Sequence, residues 1–204
     1  SDLAMYAFAG YPTVPFHGDE SMQIFMSLDY AYVVQDGDLG EVRYDPAKRE
    51  ALDVEQGLRL LNGTINKFTI GAAWDLAGFT REDLNPPWYW DLSYQYNMDN
   101  GFYPGDDLLL TSRVPSTLFL TGAVVLIFFA GRLVAGRPVA YMATLYFALN
   151  PAVLLNGRRA MMEGSLLFGA VLMLVAGLLL VRAGTWRGWL YALLLGVGAG
   201  LAVA

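Results

Sequence analysis

The chain has no cysteine and a single histidine, His17. Without cysteine, neither a disulfide framework nor a thiolate metal site can form. One imidazole excludes a zinc site built from several histidines. Charge is also scarce: Asp, Glu, Lys and Arg make up 16% of the 204 residues, and the net charge is −6. A nucleic-acid binder shows the opposite balance, so nucleic acid is not an expected partner. No basic segment precedes the first apolar stretch, which fits a secretory signal peptide poorly. Internal repeats and low-complexity tracts are lacking too.

Apolar residues dominate instead: the chain is 55% hydrophobic, with a mean hydropathy of +0.39. These values suit a membrane protein. Uncharged runs cover Val114–Gly131, Pro138–Gly157, Gly164–Val181 and Gly188–Ala204. Each is roughly the 17–25 residues that span a bilayer as helix. The expected fold class is therefore all-α and integral to the membrane, with spans at about 114–134, 138–157, 162–181 and 188–204. Residues 1–18 form a fifth apolar run, read as the outer end of a first span whose beginning is missing. The chain does not start with Met and stops at Ala204 inside an apolar run. It reads as an N-terminal fragment of a longer protein.

Charge placement gives a topology. Arg132 and Arg137 separate the first two full spans, and Arg182 and Arg187 the last two. Short loops rich in arginine belong on the cytoplasmic side. Alternation then puts the acidic segment 19–113 outside, together with Arg158 and Arg159. Two arginines at an outer surface have two readings. Arg159 and Glu163, four apart on a helix, can pair; or the arginines hold an anion such as a phosphate through their rigid donor forks.

The outer segment reads as ordered. Helical spacing of apolar residues over 21–34 and 56–78 predicts two amphipathic helices at the membrane surface. Trp88, Tyr89 and Trp90 follow Asn85-Pro86-Pro87 as an interfacial aromatic cluster. The aromatic residues of 88–103 either pack at the interface or stack on sugar faces. Asn62-Gly63-Thr64 is a glycosylation sequon by pattern, within a stretch expected to be helical.

Asp19 and Glu20 are the most informative pair. Charged residues beside lipid are costly and point to function. The simplest alternative is that Asp19 caps the first amphipathic helix and Glu20 interacts with its positive end. His17 stands beside them, either as an interfacial residue or as one that tunes the pair.

In its motifs the chain resembles the membrane glycosyltransferases of the GT-C fold, in the branch holding protein O-mannosyltransferases and aminoarabinose transferases. That branch has an Asp-Glu pair in the first outer loop, matched by HGDESMQIF from His17 to Phe25. A His-Pro-Pro-Leu-x-Lys element follows, with Lys67 on the lysine but Asn62-Gly63-Thr64 replacing His-Pro-Pro. Arg113, Pro115 and Ser116 match an Arg-x-Pro-Ser opening of the second span. GRLVAGRP, from Gly131 to Pro138, matches an inner turn. NPAVLLNGRRAMMEG, from Asn150 to Gly164, matches an Asn-Pro and Arg-x-x-x-x-acid element through Arg158 or Arg159 and Glu163.

The resemblance implies a hexosyl or pentosyl transferase in a cell envelope. It would move a sugar from a polyprenyl-phosphate donor to an acceptor hydroxyl on protein, lipid or glycan. The site would lie on the extracytoplasmic face, with a bacterial plasma membrane as the expected location. Asp19 is the expected general base, with Glu20 as second choice or orienting partner. Arg158, Arg159 and Lys67 are the expected ligands of the donor phosphate, supported by Glu163 and His17. Two carboxylates can also hold Mg or Mn through oxygen, so metal dependence stays open. Two alternatives remain: a non-catalytic membrane protein or subunit of the same architecture, and a transporter. Transport calls for ionisable residues at the midplane of the spans, whereas here the charges gather at the rim.

Overall fold

A computed structural model describes residues 13–51 and 53–203, and every regular element among them is helical. Residues 1–12, most of the expected end of a first span, lie outside the described residues. The chain divides into two compact units, one from Pro15 to Pro115 and the other from Ser116 onward with Thr13 and Val14.

The first unit opens with α1 (Gly18–Met26), α2 (Leu28–Tyr30) and a π-turn, Ala31–Gln35. The single expected helix over 21–34 is thus broken. Ser27 stands at the break (φ −67°, ψ −6°): its hydroxyl bonds to the Ile24 carbonyl at 2.5 Å and receives the indole N–H of Trp74 at 2.8 Å. The short helices α3 (Pro46–Glu50) and α4 (Val54–Leu61) lead to α5 (Thr64–Leu76). The second expected amphipathic helix is therefore two helices. Asn62 is extended at the break (φ −124°, ψ 148°), and its side chain donates back to the Leu58 carbonyl. The sequon accordingly sits at a helix junction, not inside a helix.

α1 and α2 pack on α5. Ile24, Ile70 and Trp74 are fully buried, and each aliphatic side chain contributes about 1.5–3 kcal/mol on burial. Gly71 meets the Cβ of Tyr30, so α2 and α5 touch backbone to side chain with no room for a methyl group. After a 3₁₀ turn at Arg81–Asp83 comes α6 (Tyr94–Asp99).

α7 (Asp106–Ala135) begins eight residues before the expected span. The expected span started after Arg113, where the uncharged run begins. Burial of Leu108 and Leu109 and the pairing of Arg113 described below extend it instead. In the second unit follow α8 (Arg137–Leu149), α9 (Pro151–Gly157), α10 (Glu163–Leu180) and α11 (Thr185–Val203). The run expected as one span at 138–157 is bent by 61° between α8 and α9. Pro151 supplies no N–H to continue α8, and the Asn150 carboxamide caps α9 by accepting from Ala152 and Val153.

By length and apolarity α7 and α10 can each cross a membrane, and the bent pair α8/α9 makes a third candidate among the described residues. α11 stands where the fourth span was expected. Leu120, Val124 and Ala148 form a buried core with Phe147, Val153 and Leu167 packed on it. α10 and α11 approach through glycine: a Cβ on Gly169 would lie 2.6 Å from the Gly198 carbonyl oxygen. Small residues give such close helix contact where lipid supplies no hydrophobic drive. Large side chains such as Leu174, Trp186, Trp189 and Leu193 face outward.

Candidate active site

The acidic pair sits on the first turn of α1, and its two members point to different environments. The N-cap is His17, not Asp19 as the capping alternative had it. His17 is extended (φ −130°, ψ 141°), and its Nδ1 accepts the Asp19 N–H at 3.3 Å. An accepting Nδ1 leaves the ring proton of neutral histidine on Nε2. Glu20 reaches back from the third helical position, its Oε2 accepting the His17 N–H at 3.1 Å. The exposed helix N-terminus is thereby satisfied from both directions.

Glu20 is fully buried and takes a forked grip from Arg113. Nε donates to Oε1 at 2.7 Å and Nη2 to Oε2 at 2.8 Å, with the arginine itself 2% exposed. This is the bidentate geometry in which arginine binds carboxylate most strongly. The pairing changes the expectation for Glu20. A carboxylate with both oxygens committed to a guanidinium and a backbone N–H is not placed to accept a proton from substrate. Nor does it suit sharing a Mg or Mn ion with Asp19, because a cation already occupies its face. No group of three or more metal-ligating His, Asp or Glu side chains occurs among the described residues.

Asp19 is the opposite case. Its side chain is 45% exposed, with Oδ2 3.3 Å from His17 Nδ1. Aromatic rings stand around this end of α1. The Trp88 indole lies on Gly18, where a Cβ would come within 2.7 Å of it. Phe16 contacts Trp88 and Tyr103, Trp88 contacts Tyr94, and the His17 ring centroid is 5.5 Å from that of Trp90. Trp88 is buried, while Trp90 and Tyr94 are each 57% exposed and form an open shelf. Ser21 ties the shelf to α1: its hydroxyl donates to the Phe102 carbonyl at 2.7 Å and receives the Asn85 amide at 2.6 Å. Behind the shelf, burial and a hydrogen bond to Asp106 push the Tyr103 phenol up to about 12.

Lys67 is nearly buried on α5, and its Nζ lies 2.7 Å from Asp29 Oδ2. The other Asp29 oxygen takes Arg59 Nε at 2.6 Å, and Arg59 also reaches Glu55 at 2.8 Å. Burial works against the Arg59 charge, but Asp29 and Glu55 more than offset it, and its pKa is raised. Lys67, expected to meet a donor phosphate, is therefore held by Asp29. The cluster borders an open pocket of about 340 Å³ walled by Val33, Leu39, Leu60 and Phe68.

Arg158, Arg159 and Glu163 belong to the second unit. Arg158 ends α9, Arg159 donates to the Asn156 side chain at 3.3 Å, and Glu163 opens α10. Residues 158–162 are a turn. The helical i,i+4 geometry proposed for Arg159 and Glu163 is thus absent. The structure gathers His17, Asp19, Glu20 and Arg113 within one unit. Two elements escaped sequence reasoning: Arg113 as the partner of Glu20, and Asp29 between two cations. Glu20 and Arg113 are 93 positions apart, and spacing carries no signal over that distance. Arg113 was singled out only as the opening of the Arg-x-Pro-Ser motif, which names no partner for it.

A sequence model of the dolichyl-phosphate-mannose-protein mannosyltransferase family matches residues 86–204. The match takes in the aromatic shelf, Arg113, Arg158, Arg159 and Glu163, and begins after the acidic pair. No curated protein and no solved structure matches the chain.

Proposed function

Since this chain belongs to the dolichyl-phosphate-mannose-protein mannosyltransferase family, an integral-membrane family of the GT-C fold, we propose that it transfers mannose from a polyprenyl-phosphate donor to a protein hydroxyl, with Asp19 as the general base. The observation that carries the proposal is the division of labour in the acidic pair. Arg113 locks Glu20 inward, and the adjacent Asp19 is left half-exposed on a rigid helix turn.

In the reaction the acceptor oxygen attacks the anomeric carbon. The bond from that carbon to the phosphate oxygen breaks, and polyprenyl phosphate leaves with the bonding pair. The acceptor proton passes to a carboxylate oxygen of Asp19, which needs a base within hydrogen-bond reach. Glu20 and His17 hold that turn of helix in place. Trp90 and Tyr94 offer rings on which an acceptor or sugar face can rest. Negative charge grows on the departing phosphate, and fixed cations lower the barrier by meeting it. Arg158 and Arg159 stay proposed for this part on the family resemblance alone, and Lys67 is proposed to hold Asp29, which its nearly buried ion pair supports. The positive-inside argument puts the site on the extracytoplasmic face.

The test uses the intact enzyme in proteoliposomes with polyprenyl-phosphate mannose and an acceptor peptide rich in serine and threonine. Asp19→Asn should lower turnover by about 10²–10⁴-fold, the usual contribution of a general base, while donor binding persists. Equal turnover in wild type and variant would remove Asp19 from the chemistry.

A further inference from the structure

At the end of the helices where α7 stops and α10 stops, a groove of about 310 Å³ is lined by Phe129, Arg132, Leu133, Val175, Leu179 and Arg182. Four of these are apolar and form a cleft between the last turns of the two helices. The other two are arginines at its end. Arg182 is anchored, its Nη2 donating to the Leu133 carbonyl at 2.6 Å, so one guanidinium is set in position over the groove. Arg132 is exposed, and among the described residues it pairs with no carboxylate.

An apolar cleft ending in two cations, on segments long and apolar enough to lie in a bilayer, matches one class of molecule. We propose that this groove binds an anionic phospholipid, its phosphodiester between Arg132 and Arg182 and the start of an acyl chain along Phe129, Val175 and Leu179. Basic pockets between spanning helices on the cytoplasmic side take such headgroups, and the arginine distribution assigns this end to the cytoplasm. The volume is at the lower end of the range of about 300–1,000 Å³ for ligand sites, enough for a headgroup but not a whole lipid. The complementarity is of charge as well as shape. Arg132 and Arg182 lack acidic neighbours in the groove, so a negative ligand meets net positive charge. The proposal is independent of the transferase site, since none of these residues has a part in it.

The test is native mass spectrometry of the intact protein in detergent, exposed to equal amounts of phosphatidylglycerol and phosphatidylcholine. The wild type should retain phosphatidylglycerol preferentially. Arg132→Gln should weaken that retention about five-fold, and the double change with Arg182→Gln about twenty-five-fold, as expected for headgroup contacts of this kind. Phosphatidylcholine retention should not move. Arg132→Gln alone keeps the test decisive if loss of Arg182 disturbs the end of α7, because Arg132 holds no helix end. Equal phosphatidylglycerol retention by wild type and both variants would overturn the proposal. So would equal retention of the two lipids by the wild type, or displacement of phosphatidylglycerol by excess sodium phosphate, which would mark a site for a free anion.

Discussion

Replacing Arg113 with methionine tests whether the acidic pair owes its arrangement to the buried fork. Glu20 is fully buried and Arg113 2% exposed, with contacts of 2.7 and 2.8 Å. Arg113→Met keeps the side-chain volume and leaves the carboxylate enclosed without its counter-charge. Breaking a buried pair from one side costs about 3–5 kcal/mol. For a chain of this size each kcal/mol lowers the melting midpoint by about 2–4 °C, so a fall of about 6–20 °C is expected. Glu20→Gln combined with Arg113→Met removes the stranded charge yet keeps an acceptor for the His17 N–H. It should recover part of the loss, with a coupling of about 0.5–3 kcal/mol between the two sites. The assay is thermal unfolding in detergent at one fixed scan rate, since midpoints of irreversible transitions depend on rate. Limited proteolysis of residues 15–115 would localise the effect. A midpoint for Arg113→Met within about 2 °C of wild type would show that the pair contributes little and would refute the reasoning.

Other consequences follow from the same kind of geometry. Asp29→Asn leaves Arg59 and Lys67 close together in a nearly buried site and should cost about 3–5 kcal/mol; Lys67→Met, which leaves Arg59 on Asp29, should cost less, and the reverse order of melting midpoints would count against the cluster. Gly169→Ala drives a methyl group into the Gly198 carbonyl and should destabilise by about 1–3 kcal/mol, whereas Gly196→Ala faces open space and should be neutral. The Tyr103 phenol, raised from 10.0 to about 12, should ionise late in an ultraviolet titration. Because its folded pKa lies above the unfolded one, its contribution to stability is complete below pH 10.0 and is lost as pH rises to about 12. Tyr103→Phe should delete that late step and leave the others unchanged.

Much of the architecture was legible because it depends on runs of one residue class. The spans expected at about 114–134, 162–181 and 188–204 each overlap a helix among the described residues, and Asn150-Pro151 marks a break through its own backbone chemistry. Boundaries were less legible wherever a distant partner changed the cost of a residue. Arg113 stood outside the expected span because the uncharged run begins after it; paired with Glu20, it lies inside α7. Ser27 and Asn62 looked compatible with continuous helices, and each instead turns its side chain to a backbone carbonyl of the turn before it. In the site, Asp19 and Glu20 could be found by sequence and ranked by the resemblance, but which one is enclosed was not legible, since neighbours on one turn carry the same local signals.

The sequence by itself determined that this is a helical membrane protein, that its charges keep to the ends of the apolar runs, and that an acidic pair opens its first amphipathic helix. Those properties follow from residue type and local spacing, which act over a few positions. Tertiary structure alone decided which carboxylate is enclosed and which is presented, that Lys67 is bound to Asp29, and that Arg132 and Arg182 share one groove. Each of these depends on groups tens of positions apart brought within about 3–4 Å or into one cavity, where charge interactions become strong enough to set a side chain's role.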